Sequence, residues 1–275
     1  MENKGIRISQ SMMKDLVAYL QDEQCGLLIC EKYFNGLITP PSKAMLLGQY
    51  FEFQLTGALP KGDVIPEPEM VYKGTPKEKL SADFERSIIA VNYAKQLLNH
   101  YGIKTIKAGL TIGTNNMVGT VDIYAEWNDQ HKFNTEVSPE TKVCFIDLKY
   151  SGRFDEKWDE FGWDVDSLDQ KHKLMIQGVH YKLLAKDAGI HENIPFYYFV
   201  FDSKNPTNAK IIHQNVDEVT SMRHVDMVEK AIDFYEKARK NGLKAKPNPK
   251  RCNECPINYK CTSKVIFPVV QQVLY

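Results

Sequence analysis

Two charged residues, Asp147 and Lys149, follow closely on a short apolar run at residues 143–146. The run, V-C-F-I, is rich in residues that favour β-structure and predicts a buried strand. Because alternate residues of a strand point to the same face, both charged side chains would project together. A charge at the end of a buried strand is costly unless it is paired or bound to a metal ion, so the Asp-x-Lys pair is a candidate site. The alternative is that the strand ends here and both charges are solvated.

Two further carboxylates interrupt apolar surroundings. Asp122 lies between two aliphatic residues in a segment with β-type alternation, and Glu52 lies between two phenylalanines in a helical segment. A carboxylate in such a position needs a partner. The strand that carries Asp122 precedes the Asp-x-Lys strand and is predicted to pair with it as a hairpin. For Glu52 the alternative is a place on the exposed stripe of its helix.

The elements that would position these residues follow from the hydrophobic periodicity and from turn residues. Helices are predicted at residues 6–20, 42–58, 81–101, 167–187 and 217–241. Besides the strand that begins at residue 143, strands are predicted at residues 106–113, 117–127, 195–202 and 209–216. A surface excursion is predicted at residues 59–80, and loops at residues 128–141 and 152–168.

Cap residues set the bounds of the first two helices. Ser9 or Ser11 is expected to cap the first helix. Ser42 is expected to cap the second helix, and Gly57 to end it. Because most of its residues are apolar, the second helix is expected to be largely buried.

The composition is that of a globular protein without a charge bias. The chain has 275 residues, 43% hydrophobic and 25% charged, and 35 Lys plus Arg balance 35 Asp plus Glu. A formal charge of zero argues against nucleic-acid binding by bulk electrostatics, but it leaves room for a local basic groove. No apolar run approaches membrane-spanning length and the N-terminus has no secretory signal, so we expect a cytoplasmic protein without membrane association.

The sequence lacks several familiar site patterns. The glycines form neither a G-x-G-x-x-G nor a Walker pattern, so no nucleotide-binding loop is predicted. The seven histidines form no H-x3-H cluster, and no Ser–His–Asp or Cys–His order stands out.

The six cysteines are the other residues whose types could do chemistry. Cys252, Cys255 and Cys261 lie in a Pro- and Asn-rich tail with C-x2-C-x5-C spacing. In a reducing compartment, such cysteines suggest metal or cluster binding more than disulfides. Four thiolates suit either an iron–sulfur cluster or structural zinc, and the spacing does not separate the two. Cys144 lies inside the predicted central strand and is interpreted as a core residue.

The order of these motifs resembles the PD-(D/E)XK nuclease superfamily, and most closely its RecB-like branch. That branch includes AddB-type and CRISPR-associated nucleases and phage recombination exonucleases. Each motif is weak by itself, but four in the right order, over roughly residues 6–265, are specific. The matching positions are Gly48-x3-Glu52, Asp122 in Gly119-Thr-Val-Asp, Asp147 and Lys149 in Ile-Asp-Leu-Lys, and Gln177-x3-Tyr181.

The resemblance implies a restriction-endonuclease-like α/β fold: one domain over residues 1–275, with a mixed central sheet flanked by helices. It implies Mg²⁺ or Mn²⁺ bound by Asp122 and Asp147. Glu52 would approach from its helix, and the Leu148 carbonyl would be a further ligand. Lys149 would orient or deprotonate the attacking water, or stabilise charge on the phosphate.

Two residues of a later helix, Gln177 and Tyr181, are implied to line the groove and to position substrate or site residues. The alternative is that this helix face packs on the sheet. Other residues near the site would stack on or pair with single-stranded nucleic acid, or else close the core: Tyr150, Arg153, Trp158 and Trp163.

For the cysteines, the resemblance implies a [4Fe–4S] cluster that ties the two chain ends together. One N-terminal cysteine would join the three in the closing segment at residues 245–265. Cys25 fits the fourth position, and Cys30 is the alternative. Zinc is the alternative to the cluster.

The predicted function is a metal-dependent DNA nuclease, an exonuclease more than an endonuclease, in recombination, repair or end processing. The predicted partners are DNA that is single-stranded or has free ends, and a recombination or single-strand-binding protein. Small stand-alone nucleases of this kind are common in phage genomes. Two alternatives use the same fold: a non-catalytic nucleic-acid-binding or assembly protein, and a subunit of a helicase complex.

Overall fold

The structure is a computed structural model that describes residues 5–60, 64–72, 78–159, 162–163 and 168–264. Within these ranges the side chains of residues 71, 72, 78, 156–159, 162, 163, 168–175, 249 and 250 are outside the description. The predictions for Trp158 and Trp163 as stacking side chains therefore lie outside the described residues.

A five-stranded mixed sheet forms the centre of the fold, with the strand order β3-β4-β5-β8-β9. The β5–β8 pair is parallel, and the other three pairs are antiparallel. This confirms the predicted α/β class and the predicted pairing of the Asp122 strand with the Asp-x-Lys strand. The strands are β3 (Ile103–Gly113), β4 (Val118–Trp127), β5 (Val143–Ser151), β8 (Phe196–Asp202) and β9 (Ala209–His213).

Helices cover both faces of the sheet. The main helices are α1 (Gln10–Leu20), α2 (Gly26–Phe34), α3 (Lys43–Thr56), α4 (Ala82–His100), α7 (Leu168–Asp187) and α8 (Glu218–Asn241). One buried cluster joins α1, α7 and α8 to the sheet through residues such as Phe145, and the other joins α3 and α4 to it through residues such as Ile146. Because successive residues of β5 alternate between the clusters, this strand is packed on both sides.

The predicted caps of the first two helices are present. Ser9 caps α1 and accepts a hydrogen bond from the Met12 N–H at 3.3 Å. Ser42 caps α3 and accepts one from the Met45 N–H at 3.3 Å. Gly57 ends α3 in the left-handed region at φ +72°, a conformation that glycine adopts without a steric penalty.

The expectation that the second predicted helix is largely buried is wrong. Of the residues of α3, only Tyr50 and Phe51 are buried, and Met45 is 57% exposed. The apolar residues of this helix are spread around its circumference, whereas the helix packs on the sheet along one stripe.

The structure adds short elements that the sequence analysis left as loops or unassigned chain. Helix α2 follows Cys25, and a Cβ on Gly26 would run into the backbone oxygen of Lys244 and lie 2.6 Å from the Leu243 Cβ. The other additions are β1 (Met70–Tyr72), β2 (Glu78–Leu80), α5 (Gln130–Phe133), α6 (Phe154–Lys157), β6 (Trp158–Asp159), β7 (Gly162–Trp163), α9 (Pro249–Cys252) and a 3₁₀ turn (Asn258–Lys260).

Ion pairs and hydrogen bonds fasten the C-terminal part of the chain to the N-terminal helices. Lys246 pairs with Asp22 at 2.7 Å, and Lys260 pairs with Glu31 of α2 at 2.6 Å. The Tyr235 hydroxyl of α8 donates to the Met12 carbonyl of α1 at 2.8 Å. In the part of the chain that is described, no helix is both long and apolar enough to cross a membrane.

The glycines at positions 119 and 48 provide a matched test of the helix–sheet packing. A Cβ on Gly119 would lie 2.5 Å from Tyr181 Cε1 and 3.1 Å from Leu184 Cδ1, whereas a Cβ on Gly48 meets nothing within 4 Å. Gly119→Ala should therefore destabilise the protein by roughly 1–3 kcal/mol. Gly48→Ala should stabilise it by up to about 1 kcal/mol, because alanine has the higher helix propensity. Chemical denaturation of both variants checks this, and equal stabilities would contradict the packing.

Candidate active site

Asp147 and Lys149 lie inside β5, which continues to Ser151. The alternative of a strand that ends with two solvated charges is therefore wrong. Asp147 is only 2% exposed. Its Oδ2 atom forms an ion pair with the Lys149 Nζ, whose side chain is 20% exposed. The two side chains project from the same face of the strand, as the two-residue spacing predicts.

Asp122 reaches β5 from the neighbouring strand. The ladder between β4 and β5 ends at the pair Ile123–Ile146, one position before Asp122 would face Asp147. Beyond that point the Asp122 Oδ2 accepts the Leu148 N–H at 2.7 Å, so a side chain takes the place of a backbone partner. The two strands thus separate where their carboxylates lie.

Glu52 approaches these groups from α3, on the other side of the sheet from α7. It is half-buried. Burial, together with the negative charge of Asp147, raises the pKa of Glu52 to about 7. Burial likewise raises the pKa of Asp122 well above its ordinary value, and the charges of Asp147 and Glu52 add to this rise. Three carboxylates therefore repel one another in a poorly solvated site, a condition that a cation relieves.

Lys149 supplies positive charge to the same site. Burial by itself would lower its pKa, but attraction to Asp147, Asp122 and Glu52 outweighs burial and raises the pKa. The ammonium group therefore remains charged at neutral pH, held among the carboxylates.

Helix α7 contacts the site through the two residues that the resemblance singles out. The Gln177 Nε2 donates to Asp147 Oδ1. The Tyr181 hydroxyl donates to the Thr120 carbonyl of β4 at 2.6 Å, and its ring lies beside Gly119. Gln177 thus orients a carboxylate, while Tyr181 is 4% exposed and packs on the sheet, as the alternative for this helix face supposed.

Tyr150 and Arg153, the described residues among the others considered near the site, lie at the end of β5 and just after it. Tyr150 stacks on Phe51 of α3, with ring centroids 5.0 Å apart and planes at 5°, on the face of β5 that packs against α3 and α4. Arg153 is exposed after the end of β5.

Lys14 of α1 is a site neighbour that the sequence analysis missed. It is half-buried, and its pKa is lowered to about 8 by burial, with the charge of Lys149 adding to the effect. Asp147 acts in the opposite direction, so Lys14 lies within electrostatic range of both Asp147 and Lys149. A sign of this in the sequence is a lysine between the buried residues Met13 and Leu16.

Four of the six cysteines line a single cavity of about 270 Å³: Cys25, Cys252, Cys255 and Cys261. Cys30 is not among the lining residues, and Cys144 is buried in the core within β5. The cavity lies between the start of α2 and the closing segment, and Lys246, Arg251 and Lys264 also line it. The structure thus brings together the four cysteines that the resemblance implies, although Cys25 lies more than 220 positions before the other three along the chain.

Across the described residues, no group of three or more His, Cys, Asp or Glu side chains is arranged so that it could hold a metal ion. Three contacts engage the carboxylates instead: Lys149 and Gln177 with Asp147, and the Leu148 N–H with Asp122. The donors nevertheless suit a hard cation, because all are oxygen atoms, and the buried Asp147 Oδ2 has no partner within the described part besides the Lys149 ammonium. The cavity between the cysteines is many times the volume that one water occupies, so it suits a group larger than a single ion.

A solved structure has a fold similar to that of this chain. It is similar to a crystal structure described as a "Putative exonuclease" from Eubacterium rectale, with a TM-score of 0.63 and 19% sequence identity. The similarity covers 96% of this chain and 91% of that chain. No family model matches the sequence, and no curated protein does. The mixed sheet and its flanking helices therefore have the same fold as that protein.

The raised pKa of Glu52 predicts how stability without divalent metal depends on pH. The contribution of this group is greatest below its ordinary pKa of 4.5 and is lost as the pH rises through about 7, because the folded state then carries a buried charge. In EDTA, the free energy of unfolding of Glu52→Gln relative to the wild type should increase from about pH 5 to about pH 8, by on the order of 1–3 kcal/mol. Denaturant melts of both proteins at these two pH values measure the difference. The exposed Glu229→Gln is the control, and a gain for Glu52→Gln that does not depend on pH would contradict the assignment.

Proposed function

We propose that this protein is a divalent-metal-dependent nuclease of the PD-(D/E)XK type that hydrolyses phosphodiester bonds in DNA. The observation that carries the proposal is the convergence of Glu52, Asp122 and Asp147 around Lys149, with Asp147 almost fully buried. A structural role alone gives no reason for three carboxylates to repel one another in a poorly solvated site.

The metal ligands in this proposal are the carboxylates of Glu52, Asp122 and Asp147 and the backbone carbonyl of Leu148. Mg²⁺ or Mn²⁺ bound there would activate a water molecule and neutralise charge on the phosphate. Because Asp147 Oδ2 contacts the Lys149 ammonium, this ion pair has to open before the oxygen can serve as a ligand. Lys149 is then released to act on the reactants.

Three side chains have the remaining roles in this proposal. Lys149 Nζ orients the attacking water and stabilises the negative charge that develops on the phosphate. Gln177 fixes the Asp147 carboxylate through Oδ1, which leaves Oδ2 for the site. Tyr181 keeps α7 against β4 through its bond to Thr120, so it acts as a positioning residue.

The substrate proposal is DNA that is single-stranded or has a free end, and the activity proposal is exonucleolytic. The name of the E. rectale protein with the same fold supports the exonuclease reading. The formal charge of zero supports a local contact with nucleic acid more than a broad basic surface. We place the function in recombination, repair or DNA end processing, in the cytoplasm, as in stand-alone phage nucleases.

A second part of the proposal is that Cys25, Cys252, Cys255 and Cys261 bind a [4Fe–4S] cluster. Their position around one cavity supports this set, and the absence of Cys30 from the lining favours Cys25 as the N-terminal ligand. Four thiolates in a wide cavity suit such a cluster better than a single zinc ion. The cluster would reinforce the ion pairs that already join the closing segment to the N-terminal helices.

Activity measurements on variants of two ion pairs, Asp147–Lys149 at the site and an exposed control pair, test the nuclease proposal. Asp147→Asn should abolish Mg²⁺-dependent degradation of linear DNA, because it removes a ligand charge. Lys149→Met should reduce the rate by about 10²–10³-fold or more, because it removes the charge that stabilises the phosphate. Single-stranded and double-stranded DNA and RNA are assayed with Mg²⁺ and with Mn²⁺.

The exposed pair Asp233–Lys237 of α8 supplies the controls, since its atoms are 2.7 Å apart and both side chains are more than half exposed. Asp233→Asn and Lys237→Met should keep wild-type activity. A wild-type protein that cleaves none of these substrates would reject the enzyme and favour the non-catalytic nucleic-acid-binding alternative.

The cluster is tested by metal analysis of protein purified without oxygen. Wild-type protein should be brown and contain iron and acid-labile sulfide, and Cys255→Ser should lose most of both because one of four ligands is gone. Cys30→Ser, which changes a cysteine outside the cavity, should keep them. Colourless protein with stoichiometric zinc would overturn the iron–sulfur assignment, and loss of iron in Cys30→Ser would overturn the choice of Cys25.

A further inference from the structure

The ring of Tyr198 lies beside the Lys149 ammonium on the face of the sheet from which Asp147 and Lys149 project. In the parallel β5–β8 pair, Tyr198 is the register partner of Asp147. The two side chains therefore point to the same face. The Lys149 Nζ lies 5.9 Å from the centroid of the Tyr198 ring, which is within the distance at which an aromatic face attracts a cation. Tyr198 belongs to none of the four motifs.

Contacts other than the one with Lys149 hold this ring in place. The Tyr198 hydroxyl donates to the Gln214 Oε1 at 3.0 Å. The ring packs edge-on against Phe196, with centroids 5.1 Å apart and planes at 79°. Both ends of the hydrogen bond are buried, since Tyr198 is 6% exposed and Gln214 is 8% exposed. The orientation of the ring is therefore set by its own packing, and the ring is a fixed surface for the ammonium.

Gln214 also connects Tyr198 to α7. A Cβ on Gly178 of α7 would overlap with the Gln214 Oε1, so this amide packs directly on the backbone of the helix. Gln177, the residue before Gly178, donates to the Asp147 Oδ1. The ring beside Lys149 and the amide that orients Asp147 thus belong to one buried assembly of α7, β8 and the residue that follows β9.

Attraction to the carboxylates keeps Lys149 charged, but it does not by itself fix where the ammonium lies. The ammonium is attracted by Asp147, Asp122 and Glu52, which lie on three different elements. In the proposed mechanism the ion pair with Asp147 has to open before the Oδ2 atom can serve as a ligand. The ring of Tyr198 stays available to the ammonium at that stage, because an aromatic face attracts a cation without being a ligand for a hard metal ion.

We infer that Tyr198 is a positioning residue of the proposed nuclease, whose ring holds the Lys149 ammonium in place when the ion pair with Asp147 opens. The Tyr198 hydroxyl, through Gln214, holds the ring. Lys149 acts on the reacting atoms, and Tyr198 acts only through Lys149. This inference rests on the proposed nuclease function and adds a residue of β8 to its site.

Kinetics of variants at position 198 test this role. Tyr198→Leu removes the ring and should lower kcat for DNA hydrolysis by about 10-fold, which corresponds to the loss of one desolvated cation–ring contact. KM should stay within about 2-fold of the wild-type value, because Lys149 stabilises charge that develops only in the transition state. Tyr198→Met, a second variant without a ring, should behave in the same way. Tyr198→Phe keeps the ring and should retain most of the wild-type kcat.

Tyr197 provides the matched control. It is fully buried on the opposite face of β8, where its hydroxyl donates to the Gln130 Oε1 at 3.3 Å. Tyr197→Leu also removes a buried ring but should keep the wild-type kcat, and denaturant melts verify that folded proteins are compared. The inference is overturned if a folded Tyr198→Leu or Tyr198→Met protein keeps its kcat. It is also overturned if Tyr198→Phe or Tyr197→Leu shows the same loss of kcat, because the effect would then not come from the ring beside Lys149.

A stability cycle separates this inference from the function on which it rests. The free energy of unfolding is measured in EDTA for the wild type, Tyr198→Leu, Lys149→Gln and the double variant. The contact predicts that Tyr198→Leu destabilises the wild type more than it destabilises the Lys149→Gln protein, whereas Tyr197→Leu destabilises both equally. Additive effects at positions 198 and 149 reject the contact, whatever the activity. Coupled effects in a wild type that cleaves neither DNA nor RNA confirm the contact but reject the proposed function, and with it the role of Tyr198 in catalysis.

Discussion

The burial of Asp147 is the constraint on which the rest of the site depends. A carboxylate that is 2% exposed needs compensation, and Lys149 and Gln177 supply it from β5 and α7. The neighbouring Asp122 lies where β4 and β5 separate and takes over the Leu148 N–H that the ladder no longer satisfies. Burial raises the pKa of both Glu52 and Asp122, and the negative charge of Asp147 adds to each rise.

Helices on both faces of the sheet position the site residues. Helix α7 can approach β4 closely because position 119 has no side chain, and Tyr181 then bonds to the strand. Helix α3 brings Glu52 from the opposite cluster. At the other end of the chain, ion pairs such as Lys260–Glu31 hold the closing segment against α2, where four cysteines surround one cavity. An iron–sulfur cluster bound in that cavity would join the closing segment to α2 without contacting the carboxylates.

The candidate carboxylates could be found in the sequence because each is a charge in an apolar segment, where burial is costly. The strands and most helices followed from periodicity, and Ser9, Ser42 and Gly57 mark helix ends by local backbone chemistry. Prediction failed where packing decides. The apolar residues of α3 did not show which stripe would be buried, and α2 was missed because its short segment carries no clear period. Lys14 was missed because its place between the apolar residues Met13 and Leu16 is a weak sign that also fits a lysine at the edge of an exposed helix face.

The sequence by itself determined the residue types that can do chemistry and the elements that carry them, because charge, periodicity and capping are local properties. Only the tertiary structure decided which of them meet. It brought Glu52, Asp122, Asp147 and Lys149 together from three elements, added Lys14 from a fourth, and selected Cys25 over Cys30 for the cysteine-lined cavity. The reason is that electrostatic effects and cavities depend on distance in space and on the exclusion of water, and neither is a property of spacing along a chain.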